Sequence, residues 1–245
     1  MYANLKKKYG QNFLIDKNIL RKISNLIPSN NLTILEIGPG NGKLTDEIIF
    51  KNPCKLTLIE VDKDLVETLK TKYTENKFIN IINKNILEIN IDKGYELVIS
   101  NLPYNISSQI LVKLSILNDC PGILILMFQK EFALRLLEKK INSINSLVQC
   151  FYEIKLCFNV SRNCFRPIPK VDSSVLIFKK KKKSLIFNHE VNSFINFKRY
   201  LFSHKRKSLK NLLKNYDLKD KFDLNLRVED LSIDTLIRIF REANF

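Results

Sequence analysis

Short apolar segments alternate with segments of helical periodicity over the first 150 residues of the chain. Between the apolar runs, hydrophobic residues recur three or four positions apart, which is typical of helices with one buried face. This alternation predicts a parallel sheet with helices on both faces. Asp16 is a predicted N-cap of a helix that precedes the first strand. The predicted strands cover residues 33–37, 55–60, 78–82, 96–100 and 123–128.

The pattern changes after residue 150 and again after a run of lysines. Two strand-like segments, 151–160 and 173–178, flank a proline-containing loop, and we expect them to form an antiparallel hairpin that closes the sheet. Residues 179–183 are all lysine and are interpreted as a linker. We therefore predict a sheet domain over residues 1–180 and a small α-helical domain over residues 184–245. The predicted helices of the second domain cover 191–202, 209–213 and 232–240.

The composition is that of a globular protein, since 45% of the 245 residues are hydrophobic. No apolar run approaches the ~18 residues of a membrane span, and no apolar signal-peptide core follows the charged start of the chain. We therefore expect a cytoplasmic protein that has no membrane partner. The five cysteines are scattered without a Cys-x-x-Cys pair, which argues against a disulfide framework or a zinc site and predicts no bound metal.

The charge balance is strongly basic, with 41 Lys and Arg against 25 Asp and Glu and a net charge of +16. An anionic polymer is the natural partner of such a chain, because each phosphate that a cation neutralises releases a counterion. A compositional bias towards Lys, Asn and Ile is the alternative explanation. The cations that we expect to contact nucleic acid are Lys179, Lys180, Lys181, Arg199, Lys205, Arg206, Lys207 and Lys210.

A glycine-rich loop follows the first predicted strand. Gly38, Gly40 and Gly42 follow Glu36 and Ile37 at alternate positions, and glycines so spaced allow a tight turn and a close approach of the backbone to a ligand. The third glycine comes one residue too early for the dinucleotide fingerprint. Glu60 ends the next strand, where a carboxylate can accept hydrogen bonds from ribose hydroxyls. A generic turn and a solvated glutamate are the alternatives.

The segment Asn101-Leu102-Pro103-Tyr104 carries the most specific chemistry. It follows an apolar strand, at the end where open α/β sheets bind ligands. An amide oxygen and a backbone carbonyl can accept the two N–H groups of an exocyclic amine, and an aromatic ring can stack on the base. An ordinary strand-to-helix turn is the alternative.

Taken together, these motifs resemble the ribosomal RNA adenine dimethyltransferases, and in particular the small-subunit branch whose loss confers kasugamycin resistance. The glycine loop with its preceding acid resembles motif I of the S-adenosylmethionine-dependent methyltransferases. The resemblance extends over nearly the whole chain. Its matching segments are residues 8–14, 36–42, 101–107, 129–131, 165–173, 202–211 and 226–231.

The resemblance implies an α/β fold, with a Rossmann-like methyltransferase sheet closed by an antiparallel hairpin and a small C-terminal α-helical RNA-binding domain. It implies an enzyme that uses S-adenosyl-L-methionine to dimethylate N6 of two adjacent adenosines in the 3′-terminal hairpin loop of small-subunit (16S) rRNA. The implied partners are rRNA and the immature small subunit during ribosome biogenesis, and we expect a monomer. The residues implied around the cofactor are Asn12, Leu14, Gly38, Gly40, Glu60, Asn85 and Asn101.

The resemblance also implies how the target base is held. The Asn101 side-chain oxygen and the Pro103 carbonyl would accept the two hydrogens of adenine N6, with Tyr104 stacked on one face of the base and Phe165 on the other. Core packing is the alternative for Phe165. Asn85 stands where related enzymes usually have Asp, and an amide accepts the adenine amine of the cofactor without charge assistance, so we expect weaker cofactor binding.

Three alternatives remain at this stage. The chain length is typical of the sister family that methylates large-subunit rRNA, but Pro39, the segment 171–173 and the basic segment 202–211 favour the small-subunit branch. A small-subunit assembly factor that no longer methylates is the second alternative, which Asn85 favours and the intact segment 101–104 disfavours. A DNA adenine methyltransferase is the third, and the absence of a target-recognition domain argues against it.

Overall fold

Strands and helices alternate along the part of the chain that the structure describes. The computed structural model describes residues 12–91, 94–216, 218 and 222–245. Its strands are β1 (Phe13–Leu14), β2 (Thr33–Ile37), β3 (Lys55–Glu60), β4 (Ile79–Asn83), β5 (Leu97–Asn101), β6 (Ile123–Gln129), β7 (Tyr152–Val160), β8 (Phe165–Arg166) and β9 (Ser173–Lys180). Its α-helices are α1 (Lys17–Ser24), α2 (Lys43–Ile49), α3 (Lys63–Lys72), α4 (Ser107–Ser115), α5 (Lys130–Leu137), α6 (Asn145–Val148), α7 (Val191–Ser203), α8 (Leu209–Leu212) and α9 (Ile233–Glu242).

Seven of the strands form one mixed sheet in the order β4-β3-β2-β5-β6-β9-β7. The strands from β4 to β6 pair in parallel, which confirms the predicted α/β class. β9 pairs antiparallel with both β6 and β7, so the predicted hairpin closes the sheet. β4 and β5 each begin and end one residue later than predicted, because backbone pairing continues into the polar residues Asn83 and Asn101.

A separate two-stranded sheet joins the start of the described chain to the segment after β7. β1 and β8 pair antiparallel, with Phe13 opposite Arg166 and Leu14 opposite Phe165. Sequence analysis missed this pair, because two-residue strands leave no periodicity and their partners lie far apart in the chain. The pairing holds the described N-terminal residues beside the carboxyl ends of the parallel strands.

Both faces of the large sheet are buried. Neighbouring residues of a strand point to opposite faces, so Leu35 packs into one apolar cluster and Ile34 into the other. The cluster that contains Leu35 continues into the C-terminal helices, where Phe197 and Phe240 are buried. The helical segment therefore shares a continuous core with the sheet. The division of the chain into two domains stays a prediction.

The lysine run at 179–183 is not a linker throughout, which corrects the sequence interpretation. Lys179 and Lys180 belong to β9, where Lys179 pairs with both neighbouring strands and Lys180 pairs with Tyr152 of β7. The Lys180 ammonium also donates to the carbonyl of Cys120 at 3.0 Å and lies 4.0 Å from a carboxylate oxygen of Asp119. A long lysine side chain can keep its charge in solvent while its backbone belongs to a strand. The start of the lysine run therefore does not mark the end of β9.

The predicted helices are present with small shifts at their ends. The Asp16 carboxylate caps α1 by accepting the N–H groups of Asn18 at 2.9 Å and Ile19 at 3.1 Å. Ser232 caps α9 rather than belonging to it, and its hydroxyl accepts the N–H of Thr235 at 3.1 Å. Within the described ranges, no helix is long and apolar enough to cross a membrane.

Gly42, at the start of α2, provides a test of this packing. Its φ is +76°, and a Cβ there would lie 2.5 Å from the hydroxyl oxygen of Tyr73. Gly94 has a φ of +91° with no atom within 4 Å of an added Cβ, so it is a matched control for backbone strain alone. Each substitution to Ala should cost about 1–3 kcal/mol of unfolding free energy through strain. Gly42→Ala should cost at least about 1 kcal/mol more, because Tyr73 must move. Equal losses in urea unfolding would refute the packing argument.

Candidate active site

A cavity opens at the carboxyl ends of β2, β3 and β5, the edge where open α/β sheets bind ligands. Residues from β1 and from the segment after β4 complete its wall. The structure brings together at this cavity the following predicted residues: Asn12, Leu14, Gly38, Gly40, Glu60, Asn85, Asn101, Pro103 and Tyr104. Residues 8–11 of the first matching segment lie outside the described residues. The individual roles of the lining residues stay predictions.

The glycine loop leaves open space on the cavity side. Gly38 and Gly40 have φ values of +64° and +59°, a conformation that side chains rarely allow. A Cβ on Gly38 would meet no atom within 4 Å, whereas a Cβ on Gly40 would lie 2.8 Å from a ring carbon of Phe13. The N–H of Gly38 donates to the carbonyl of Ile59 at 2.8 Å, which ties the loop to β3. Gly38 thus faces room for a ligand, and Gly40 permits close contact with β1.

Glu60 presents a carboxylate whose orientation is fixed by the backbone. One of its oxygens accepts the N–H groups of Val61 and Asp62, both at 2.9 Å, and the other accepts the N–H of Gly40 at 3.1 Å. Burial raises the pKa of Glu60, and these three hydrogen bonds oppose the shift. The result is a preoriented acceptor at the end of β3, as a site for ribose hydroxyls requires.

Glu36 is a second acid at the cavity, and sequence analysis did not assign it a role. It is almost completely buried beneath the glycine loop, where the Thr45 hydroxyl donates to it at 2.7 Å. Burial raises the pKa of Glu36 to about 8, an effect that the Thr45 hydrogen bond only partly offsets. Its position directly before the loop was the available signal. The other lining residues that sequence analysis missed include Lys43 and Lys84.

The side chain of Asn101 is oriented by one hydrogen bond. Its amide nitrogen donates to the carbonyl of Asn12 at 3.1 Å. The amide oxygen is therefore the atom that remains to accept a proton from a ligand in the cavity. The carbonyl of Pro103 accepts the N–H of Ile106 at 3.2 Å and keeps its second lone pair for another donor. The Asn101 side-chain oxygen and the Pro103 carbonyl oxygen are thus two acceptors, only two residues apart, at the end of β5.

Tyr104 is held by a serine at the start of β9. Its hydroxyl lies 2.6 Å from the Ser173 hydroxyl, and Ser173 is completely buried. Backbone pairing fixes Ser173 between Gln129 on β6 and Val160 on β7. Burial raises the pKa of Tyr104, so the phenol stays protonated. The half-buried ring of Tyr104 is therefore held by its backbone at one end and by the hydroxyl contact with Ser173 at the other.

Asn85, which also lines the cavity, forms a small turn of its own. Its side-chain oxygen accepts the N–H of Leu87 at 3.1 Å, and its amide nitrogen donates to Glu88 at 2.8 Å. The nitrogen is thereby directed towards Glu88, which leaves the oxygen, with one further lone pair, as the acceptor for a ligand amine. The role of Asn85 as an uncharged acceptor for the cofactor amine stays a prediction.

The prediction for Phe165 is wrong in this structure. Phe165 has no exposed surface and does not line the cavity. It packs in the apolar cluster that contains Leu14, Val160 and Val175, because its partnership with Leu14 across β1 and β8 directs the ring inwards. Core packing, the alternative given above, accounts for this residue.

The predicted nucleic-acid contacts are not among the residues that line the cavity. Lys205, Arg206 and Lys207 are exposed in the turn after α7, together with Arg199 and Lys210 on the neighbouring helices. Lys179 and Lys180 are exposed at the end of β9, and Lys181 is half-buried. Among the described residues, no three His, Cys, Asp or Glu side chains come together as a metal site.

Comparison with known proteins decides the family. A family model described as ribosomal RNA adenine dimethylase matches residues 2–244. The chain belongs to the ribosomal RNA adenine dimethylase family. A relative named "Ribosomal RNA small subunit methyltransferase A" from Mycoplasmopsis pulmonis is 37% identical, over 97% of this chain and 98% of the relative. One of the same name from Malacoplasma penetrans is 43% identical, over 89% of this dimethylase and 80% of the relative.

Solved structures share the fold of this dimethylase. A dimethyladenosine transferase from Plasmodium falciparum has a TM-score of 0.77 and 25% identity, covering 94% of this chain and 95% of that one. The 23S rRNA methyltransferase ErmE has a TM-score of 0.75 and 20% identity, covering 95% and 100%, which shows the fold alone. The predicted methyltransferase sheet with C-terminal helices is confirmed.

Enzymes of this family take the methyl group from S-adenosylmethionine, and the cavity of this dimethylase fits that molecule. The cofactor is a nucleoside joined to an amino acid, so it needs apolar walls for the base, an acceptor for the ribose and space at the loop. Ile59 and Ile86 line the cavity and would supply apolar wall, and Glu60 would supply the acceptor. The glycine loop leaves the required space, because a Cβ added to Gly38 would meet no atom within 4 Å.

Glu36 makes the stability of this dimethylase depend on pH. Its pKa rises from 4.5 to about 8 on folding, so the folded chain retains a proton that the unfolded chain releases. The free energy of unfolding should therefore fall as pH rises from about 5 to about 8. Glu36→Gln keeps an acceptor for Thr45 and removes this titration, so the variant should lose less stability over that range in urea titrations. Parallel pH curves for both proteins would contradict the assignment.

The hydrogen bond between Tyr104 and Ser173 predicts linked effects on catalysis. Tyr104→Phe and Ser173→Ala each remove the bond while leaving the ring in place. Each should lower kcat for methyl transfer about tenfold, because the sequence predicts that this ring stacks on the target base and a less fixed ring would position that base less well. The double variant should be no slower than the singles, and the Kd of the cofactor should not change. If the loss in kcat of the double variant equalled the product of the two single losses, the two hydroxyls would act independently.

Proposed function

We propose that this rRNA adenine dimethylase methylates N6 of two adjacent adenosines in the 3′-terminal hairpin loop of small-subunit (16S) rRNA during ribosome biogenesis. The observation that carries the proposal is the orientation of Asn101. Its amide nitrogen is engaged by Asn12, which leaves an oxygen acceptor in the cavity beside the Pro103 carbonyl and the Tyr104 ring. That set of groups suits a flat base with an exocyclic amine.

The small subunit is favoured over the large subunit as the substrate. The relatives named for the small subunit are 36–43% identical to this chain over nearly its whole length, whereas ErmE, named for 23S rRNA, is 20% identical. Pro39 in the glycine loop and Ser173 in the segment 171–173 are among the sequence features that support the same branch.

Adenine N6 is a poor nucleophile, because its lone pair is delocalised into the ring. The Asn101 side-chain oxygen and the Pro103 carbonyl accept its two hydrogens and draw the nitrogen towards tetrahedral geometry, which localises the lone pair. The bound cofactor supplies an electrophilic methyl group on its sulfonium. The residues of the turn therefore act mainly by holding the amine in line for attack.

Positive charge develops on N6 as the new bond forms. The Asn101 and Pro103 dipoles and the π face of Tyr104 stabilise that charge. The methylated nitrogen then loses its proton readily, so the reaction needs no strong base. After the first methylation one N–H remains, and either oxygen can accept it during the second.

The target adenosine must leave its stack to reach this turn. Bases in loops of RNA can be splayed out and stacked on aromatic side chains, and Tyr104 provides such a ring at the cavity wall. The exposed cations after α7 and at the end of β9 then bind the backbone phosphates of the surrounding rRNA. This arrangement supports rRNA as the partner. We further propose that the rRNA lies within an immature small subunit in the cytoplasm and that the enzyme acts as a monomer.

A labelling experiment tests this function. The protein is incubated with labelled S-adenosylmethionine and unmethylated small subunits, naked rRNA or DNA, and the label is mapped. Wild type should label two adjacent adenosines of small-subunit rRNA, and Asn101→Ala should be about 10²–10³-fold slower. Asn105→Ala, an exposed neighbour outside the cavity, is the matched control and should keep wild-type activity.

Label in large-subunit rRNA or in DNA would reassign the substrate. Absence of label with intact binding to small subunits would identify a non-catalytic assembly factor. Full activity of Asn101→Ala would remove the assigned role of the amide.

A further inference from the structure

Three aromatic rings come together at the outer end of the C-terminal helices. Tyr200 lies on α7, while Tyr216 and Phe245 follow α8 and α9. The Tyr200 and Phe245 rings are stacked, with centroids 6.1 Å apart and planes inclined by 27°, and the Tyr216 ring lies 6.3 Å from that of Phe245. Tyr200 and Phe245 are 38% and 36% exposed, so part of each residue is open to solvent.

Internal contacts hold only one side of this group. The Phe245 ring packs edge-on against the buried ring of Phe197, with centroids 5.3 Å apart. The Tyr200 hydroxyl donates to the carbonyl of Leu212 at 2.8 Å. The rings are therefore fixed in position while part of their surface stays exposed. A ligand that stacks on them loses little affinity to side-chain ordering.

The surroundings of the rings are basic. Residues 191–216 contain seven Lys and Arg and no Asp or Glu. Arg199 directly precedes Tyr200, and the His204 ring lies 5.8 Å from the Tyr200 ring at the start of the basic turn that contains Lys205. An exposed aromatic surface in a segment rich in cations is complementary to a nucleotide, which offers a π face and a phosphate together.

We propose that Tyr200 and Phe245 form a stacking platform for one unpaired base of the RNA substrate, while the adjacent cations bind its phosphates. This inference rests on the proposed function, since it takes rRNA as the substrate. None of the three rings lines the cavity, so the base on the platform is a different one from the adenine that is methylated. A base within a duplex presents only its edges, so the platform selects single-stranded RNA.

Substitutions at Tyr200 separate stacking from packing. Tyr200→Leu removes the ring and keeps an apolar side chain, whereas Tyr200→Phe keeps the ring and removes only the hydroxyl. Phe50→Leu is a control for an exposed aromatic residue elsewhere, because Phe50 is 76% exposed at the end of α2. Each full-length variant is titrated with single-stranded RNA that carries 2-aminopurine, whose fluorescence is quenched by stacking.

Tyr200→Leu should raise the Kd for this RNA about tenfold and reduce the quenching, because stacking on one aromatic residue contributes an effect of that size. Tyr200→Phe and Phe50→Leu should bind like wild type. Wild-type affinity in Tyr200→Leu would overturn the proposal. Equal losses in Tyr200→Phe and Tyr200→Leu would also overturn it, because the bond to Leu212 would then be responsible rather than the ring.

Two controls keep the result unambiguous. Thermal unfolding reports whether Tyr200→Leu folds, and if it does not, Phe245→Leu replaces it with the same expected loss. Methyl transfer is measured on the wild type in parallel. If the wild type transfers methyl groups and the folded leucine variant binds RNA as tightly as the wild type, the stacking platform is contradicted but the proposed function is not. If the wild type quenches 2-aminopurine fluorescence but transfers no methyl group, the proposed function is contradicted but the platform is not.

Discussion

The orientation of the Asn101 amide is the constraint on which the proposed chemistry depends. Its nitrogen donates to the carbonyl of Asn12, so the end of β5 is tied to the residue that precedes β1. β1 is held in turn by β8, whose Phe165 lies in the core. If the amide turned over, it would present its N–H₂ group to the base amine, and two donors do not bind each other. In the proposed mechanism, packing remote from the cavity therefore determines which atom of the Asn101 amide faces the substrate.

Much of the fold follows from the sequence, because hydrophobic periodicity reports which side of each element is buried. The five parallel strands and the closing hairpin were predictable for that reason. The β1–β8 pair was not, since it depends on contacts between segments that are remote in the chain. The strand position of Lys180 was also missed, because a long charged side chain leaves no apolar signal in a strand.

The site was predictable to a similar extent and for a related reason. Glu60 and Asn101 end strands and Asn85 follows one, and the carboxyl ends of these strands must meet at one edge of a parallel sheet, so their convergence at the cavity could be inferred. Phe165 could not be placed, because a motif does not show whether an aromatic ring faces a ligand or the core. The high pKa of Glu36 depends on burial beneath the loop, which only the folded chain creates.

The structure of a complex tests the central claim most directly. The protein would be crystallised with sinefungin and a short RNA that contains the target adenosines. Adenine N6 should lie about 2.7–3.2 Å from both the Asn101 side-chain oxygen and the Pro103 carbonyl oxygen, with the base stacked on Tyr104. A complex with N6 beyond hydrogen-bonding distance of both oxygens, or with the adenine outside this cavity, would contradict the account.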